Sequence, residues 1–286
     1  MRIVLIGADG QLGSDLKKTL QGEDLFPLYY PEFDVTRPQA ARDELAALSP
    51  EIVINTAAYH RVDECEDHPR ESFLVNAVAV HELAGICREI DAMLVHFSTD
   101  YVFDGGQRVP YTEKDRPNPL SVYAASKLAG EYLIRNRMDK YFLIRTCGLY
   151  GEAGPREKGR NFVDAMVGLS EGKEPVSVVS DQWVTPTSTL ELAERILELI
   201  QTRHYGLYHM TNEGQCTWHE FAQAIFGFLG RTPCLRAVTS LEYKSRARRP
   251  SYSVLENRRA KEIGLSDFSH WKDALRAYLA AKGLLG

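Results

Sequence analysis

The first half of the chain alternates short apolar runs with stretches where apolar positions recur every three or four residues. The pattern predicts buried strands at Arg2–Ile6, Leu25–Tyr30, Glu51–Asn55, Ala92–Ser98 and Lys140–Arg145. Helices are predicted at Gln11–Leu20, along Pro69 to Ile90, and at Val122–Arg135. A further helix should start at Arg37-Pro38 with Thr36 as its cap, because proline fits a first turn. Strands alternating with helices imply a parallel sheet covered on both faces, so the fold class is α/β, a Rossmann-type doubly wound sheet.

The second half reads differently. Glu152–Arg160 is rich in glycine, proline and charge and reads as a loop. Helical patterns follow at Asn161–Ser170, Leu190–Gln201, Thr217–Leu229, Glu256–Ile263 and Trp271–Lys282, with strands at Pro175–Val179 and Gly206–Met210 and a basic loop at Lys244–Arg249. The break near residue 150 suggests a dinucleotide-binding half over 1–150 and a smaller, mainly substrate-binding α/β part over 151–286, some segments of which can return to the Rossmann core.

Composition narrows the classes without identifying one. The chain has 286 residues, 44% hydrophobic and 26% charged, with a net charge of −5. These values fit a globular protein and argue against one that coats nucleic acid. No run approaches a membrane span. The five cysteines lack CxxC spacing, as expected of reduced thiols in a cytoplasmic protein. The eight histidines show no HxxH or HxxxH pattern, and no catalytic metal is expected. His96, inside a strand, reads as a satisfied core histidine.

Two motifs carry chemistry. Gly7-Ala8-Asp9-Gly10-Gln11-Leu12-Gly13 follows a strand and opens a helix. Glycines there let the backbone approach a pyrophosphate, and the helix N-terminus offers unpaired N–H groups. A carboxylate for the ribose is less clear; Glu32 and Asp34 lie near the end of the second strand. Asp34-Val35-Thr36 has two readings, contact with adenine or a cap on the next helix. The second motif is Tyr123-Ala124-Ala125-Ser126-Lys127. Residues four apart share a helix face, so the phenol and the ammonium can enter one pocket, where the cation would lower the phenol's pKa. Ser98-Thr99-Asp100-Tyr101-Val102-Phe103 follows the fourth strand, at the sheet edge where such folds bind ligands. Thr99 can reach the same carbonyl oxygen as Tyr123.

These residues resemble the extended short-chain dehydrogenase/reductase family, and within it the dTDP-4-dehydrorhamnose reductases, over nearly the whole chain. Gly10–Gly13 resembles the family's phosphate loop, and Asn55-Thr56-Ala57-Ala58-Tyr59 with Val62-Asp63 and Glu66 its third-strand cofactor segment. Ser98–Gly105 resembles the active-site strand, and Pro119–Glu131 the catalytic helix. Asp181-Gln182, Pro186-Thr187 and Arg249-Pro250 with Ser253 resemble C-terminal landmarks.

The resemblance implies NADPH or NADH as cofactor and the C4 ketone of a dTDP-linked 4-keto-6-deoxysugar as substrate. Tyr123 would be the general acid, Lys127 would tune it and bind the nicotinamide ribose, and Thr99 would polarise the ketone. Gly7, Gly10, Gln11, Leu12, Gly13, Asp34, Val35, Ala57, Ala58, Tyr59 and His60 would line the dinucleotide, and Asp100 and Tyr101 would touch the sugar. The related 4,6-dehydratases carry Glu where this chain has Tyr101, so simple ketone reduction is expected. Relatives often show R-T-S-W after the fifth strand, whereas this chain reads Arg145-Thr146-Cys147-Gly148. Trp183 is a candidate replacement for that aromatic wall; Trp218 and Trp271 read as packing residues. Arg249 is a candidate ligand for the substrate diphosphate, and Asn161 either binds phosphate or caps its helix. A homodimer is compatible with the resemblance. The rival readings are a non-catalytic regulatory subunit, like that of methionine adenosyltransferase, and a sibling nucleotide-sugar ketoreductase.

Overall fold

The computed structural model describes residues 1–154, 159–172 and 174–285. Six parallel strands form the main sheet: β1 (Arg2–Ile6), β2 (Asp24–Leu28), β3 (Ile52–Asn55), β4 (Met93–Thr99), β5 (Tyr141–Thr146) and, far along the chain, Gly206–His209. Their order is β2, β1, β3, β4, β5, then Gly206–His209. The order reverses between β1 and β3, which opens a crevice at their carboxyl ends.

Side chains alternate between the faces of each strand. Ile3 and Leu5 of β1 join Ile54, Val95, Phe142 and Ile144 on one face. There they pack against Leu12 and Leu16 of the Gln11–Thr19 helix and Leu192, Ile196 and Leu199 of the Thr189–Ile200 helix. Val4 and Ile6 point the other way and meet Val53, Leu94 and Leu143 under Leu45, Leu83, Ile86 and Ile134. Both faces are buried, which is why these strands read as unbroken apolar runs.

The remaining C-terminal elements build a smaller core. Val176 and Val178 pack with Phe221, Ile225, Trp271 and Leu275. Val176–Val179 pairs in parallel with Leu235–Val238, a short strand without a clear sequence pattern. The stretch from Pro69 to Ile90 is helical but not uniform: Leu74–Val78 forms a wider π turn between Pro69–Phe73 and Ala79–Glu89. Thr36 does not cap the helix that follows it. Arg37 stands at the cap of Pro38–Leu48, and the Thr36 hydroxyl and N–H both donate to Asp34 Oδ1. The loop expected over 152–160 includes residues 155–158, which lie outside the described residues. Among the described residues no helix is long and apolar enough to cross a membrane.

Candidate active site

The crevice begins at Gly7. Its φ of +76° allows the turn after β1, and a Cβ there would stand 2.6 Å from Thr56 Oγ1. Thr56 bridges the switch point, donating to the carbonyls of Ile6 and Gly7 at 2.8 and 3.0 Å. At Gly13 a Cβ would stand 2.3 Å from the Gly7 carbonyl, so only glycine lets the helix start against the loop. No side chain caps the Gln11–Thr19 helix at Gly10. Its first N–H groups therefore lack intrahelical partners and face the loop. Gln11 donates to the Leu149 carbonyl at 2.9 Å, and its Oε1 is buried without a partner. A close-approach glycine turn, an uncapped helix start and an orphaned buried acceptor fit a dinucleotide.

The strand on the other side of the switch point is held by Asn76, which sits on the π turn. Its amide accepts from the Tyr59 N–H at 2.9 Å and donates to the Tyr59 carbonyl and to Ser126 Oγ, both at 3.0 Å. The segment Ala57–His60 is thereby tied to the helix that carries Tyr123 and Lys127. That helix, Val122–Arg137, starts with the Ser121 side chain as cap, and Glu66 accepts from the Val122 N–H at 2.8 Å. A carboxylate at a helix start is favoured by the helix dipole.

Thr99 closes β4. Its hydroxyl donates to Asp100 Oδ1 at 3.1 Å and accepts from the Tyr101 N–H at 3.2 Å. Asp100 is buried, and its other oxygen accepts from Cys147 Sγ at 3.1 Å. Burial pushes its carboxyl up to about 6. Burial, and then the nearby Asp100 charge, push the Tyr123 phenol upward as well. The expected lowering of Tyr123 by Lys127 is thus not what the structure shows: Tyr123 stands protonated, in the form that gives a proton. Lys127 is itself brought down to about 8 by burial, against the pull of Glu131.

Thr99, Asp100, Tyr101 and Tyr123 lie together, with the Tyr101 ring edge-on to Tyr123 at 6.4 Å, while the Lys127 amine one turn along the helix stands 3.3 Å from His96 Nε2. Two other candidates are engaged elsewhere. The Arg249 guanidinium forms a bidentate pair with Asp63, at 3.1 and 2.8 Å, and its charge acts on the nearby Tyr101 phenol. Of its two readings, Asn161 takes the cap: it accepts from the Asp164 N–H and donates to the Gly151 carbonyl and the Tyr278 hydroxyl. The Trp218 ring tip lies 3.2 Å from where a Gly148 Cβ would be. Trp183 pairs with Thr217 in a two-stranded sheet, and its side chain packs against the cluster of Val102 and Phe103.

Sequence reasoning missed Asn76, whose position in a helical pattern gave no signal, and the partners of Arg249 and Asp100, which are distant in the chain. All five cysteines are free thiols. No cluster of potential metal ligands occurs among the described residues.

The RmlD substrate binding domain family matches residues 1–283. The chain belongs to this family. It is 38% identical over 283 residues to a dTDP-4-dehydrorhamnose reductase of Streptomyces griseus, covering 96% of this chain and 91% of the relative. It is 37% identical to the dTDP-4-keto-6-deoxy-D-glucose reductase of Streptomyces niveus, covering 96% and 95%. The dTDP-4-dehydrorhamnose reductase of Bacillus anthracis, solved in complex with NADP, superposes with a TM-score of 0.94 at 34% identity, covering 98% of this chain and 99% of that one.

Proposed function

We propose that the protein reduces the C4 ketone of dTDP-4-dehydro-L-rhamnose to dTDP-L-rhamnose with NADPH or NADH. The observation that carries this reading is the placement of Tyr123, its ring edge-on to Tyr101, beside the end of β4 at Thr99, with Lys127 one turn further along the same helix.

Gly7, Gly10, Gln11, Leu12 and Gly13 hold the cofactor pyrophosphate, Asp34 and Val35 its adenine end, and Ala57, Ala58, Tyr59 and His60 the stretch between. The bound nicotinamide supplies a hydride. Tyr123 hands its hydroxyl proton to the ketone oxygen as the C4–H bond forms, so the C=O π pair ends in the new O–H bond. Thr99 orients Tyr123, and Lys127 meets the ribose. Asp100 and Tyr101 face the sugar; Arg249 steadies Tyr101, and Asn161 fixes the start of the helix on the substrate side. This protein contributes position and a proton, because the hydride chemistry is the cofactor's.

Replacing Tyr123 with Phe removes the proton donor and keeps the ring. Turnover with dTDP-4-dehydrorhamnose should fall roughly 10²–10⁴-fold, with cofactor affinity retained. Near-unchanged turnover would overturn the mechanism. A sibling 4-ketoreductase is favoured by one observation, the absence of a side chain at Gly148 next to the pocket. Cofactor oxidation with the 4-keto-6-deoxy-glucose and dehydrorhamnose substrates, side by side, separates the two. Oxidation with neither substrate would leave the regulatory reading.

A further inference from the structure

His96 lies in the middle of β4, buried, between two polar side chains. Its Nδ1 is 3.2 Å from Asn55 Nδ2 and its Nε2 is 3.3 Å from Lys127 Nζ. The hydrogen positions follow from donor counting. The Ala57 N–H points at Asn55 at 3.1 Å, so the Asn55 atom it meets is the amide oxygen. The atom facing His96 is then the amide nitrogen, which only donates. His96 Nδ1 must accept, and in a neutral imidazole the hydrogen then sits on Nε2. That N–H is aimed at Lys127.

We propose that His96 is a positioning residue that anchors the Lys127 amine by presenting it an N–H instead of a lone pair. An ammonium has no acceptor site, so it gains nothing from this neighbour, whereas a neutral amine accepts the N–H. The arrangement favours the amine and places Lys127 close to changing its charge at neutral pH. Burial acts in the same direction on both groups: His96 is held well below its ordinary range and so stays uncharged, and Lys127 is lowered.

The other groups around the pair do not reverse this. Glu131, one turn beyond Lys127, raises the lysine's proton affinity, but it is neutralised by a bidentate pair with Arg145 of β5 and accepts from Ser98 Oγ of β4. Tyr123 is protonated, and Asn55 of β3 is uncharged. In the reductase reading, on which this inference rests, Lys127 then relays a proton: its ammonium passes one to the Tyr123 oxygen that has given its own to the ketone, and the amine left behind accepts the His96 N–H.

Two measurements test it, both readable without substrate. In nitrogen NMR of the full unsubstituted chain labelled at histidine, His96 should show a bare Nδ1 and a protonated Nε2. The opposite tautomer overturns the proposal, even if the protein proves a reductase. In His96→Gln the carboxamide oxygen can turn to the ammonium, so the Lys127 titration, followed at its ε-carbon, should move up by about one unit, a tenfold gain in proton affinity. The alkaline limb of kcat should move with it while KM for the ketone stays put. A Lys127 midpoint that stays in place or falls overturns the proposal. If the variant fails to fold, the tautomer decides alone.

Discussion

Asp100 shows how much one buried group can set. Its carboxyl is 3% exposed, accepts from Thr99 and Cys147, and is pushed from 3.8 up to about 6 by burial. Between those values the folded chain keeps a proton that the unfolded chain has released. Stability therefore falls as pH rises through that window and levels off above it. The shift of roughly two units corresponds to about 3 kcal/mol. Asp100→Asn stays neutral at every pH and should flatten this part of the profile, read as urea midpoints from pH 4 to 7. A slope that survives in the variant would show that other groups carry it. The Tyr123 phenol is raised partly by the same charge, so the acid proposed for the reaction and the stability around it depend on one carboxylate.

The Val122–Arg137 helix connects these residues. Tyr123, Lys127 and Glu131 stand four apart and share one face. Glu131 is 1% exposed and pairs with Arg145 at 2%, so the ion pair is fully desolvated. Glu131→Gln leaves the guanidinium buried without its countercharge and should cost about 3–5 kcal/mol, measured as a shift in denaturant midpoint. A loss under about 1 kcal/mol would place the pair among those water can rescue. The i, i+4 spacing made Tyr123 and Lys127 legible, and the glycine spacing made the loop after β1 legible, because both signals are local. The partners were not. Asp63 and Arg249 are 186 residues apart, and Asp100 and Cys147 are 47 apart. Such pairings depend on topology, which periodicity does not encode. The π turn escaped for a related reason: one extra residue in a turn barely disturbs the apolar spacing, yet it sets Asn76 against Tyr59 and Ser126. Thr36 failed as a cap because Asp34, two residues before it, competes for its hydroxyl.

At the scale of the molecule, the break near residue 150 does not divide the fold. The sixth strand of the main sheet, Gly206–His209, comes from after it and pairs with β5 from Phe142 to Arg145. The Thr189–Ile200 helix, also from after it, covers one face of that sheet. The outer edge of the sixth strand is closed from both halves. The Arg259 guanidinium donates to the carbonyls of Leu207 and Tyr205, and Glu113 accepts from the His209 N–H. A fragment of residues 1–150 would expose the edge of β5 and lose Leu192, Ile196, Leu199, Ile200 and Tyr208, all buried. At about 1.5–3 kcal/mol for each large side chain, that loss approaches or exceeds the 5–15 kcal/mol that holds a typical domain together. The fragment should therefore keep helical far-ultraviolet dichroism but lose near-ultraviolet signal and cooperative melting, while the full chain melts in one transition. A sharply melting fragment would show that the first half stands alone. If it does not, the second half completes the sheet that holds Thr99 in place.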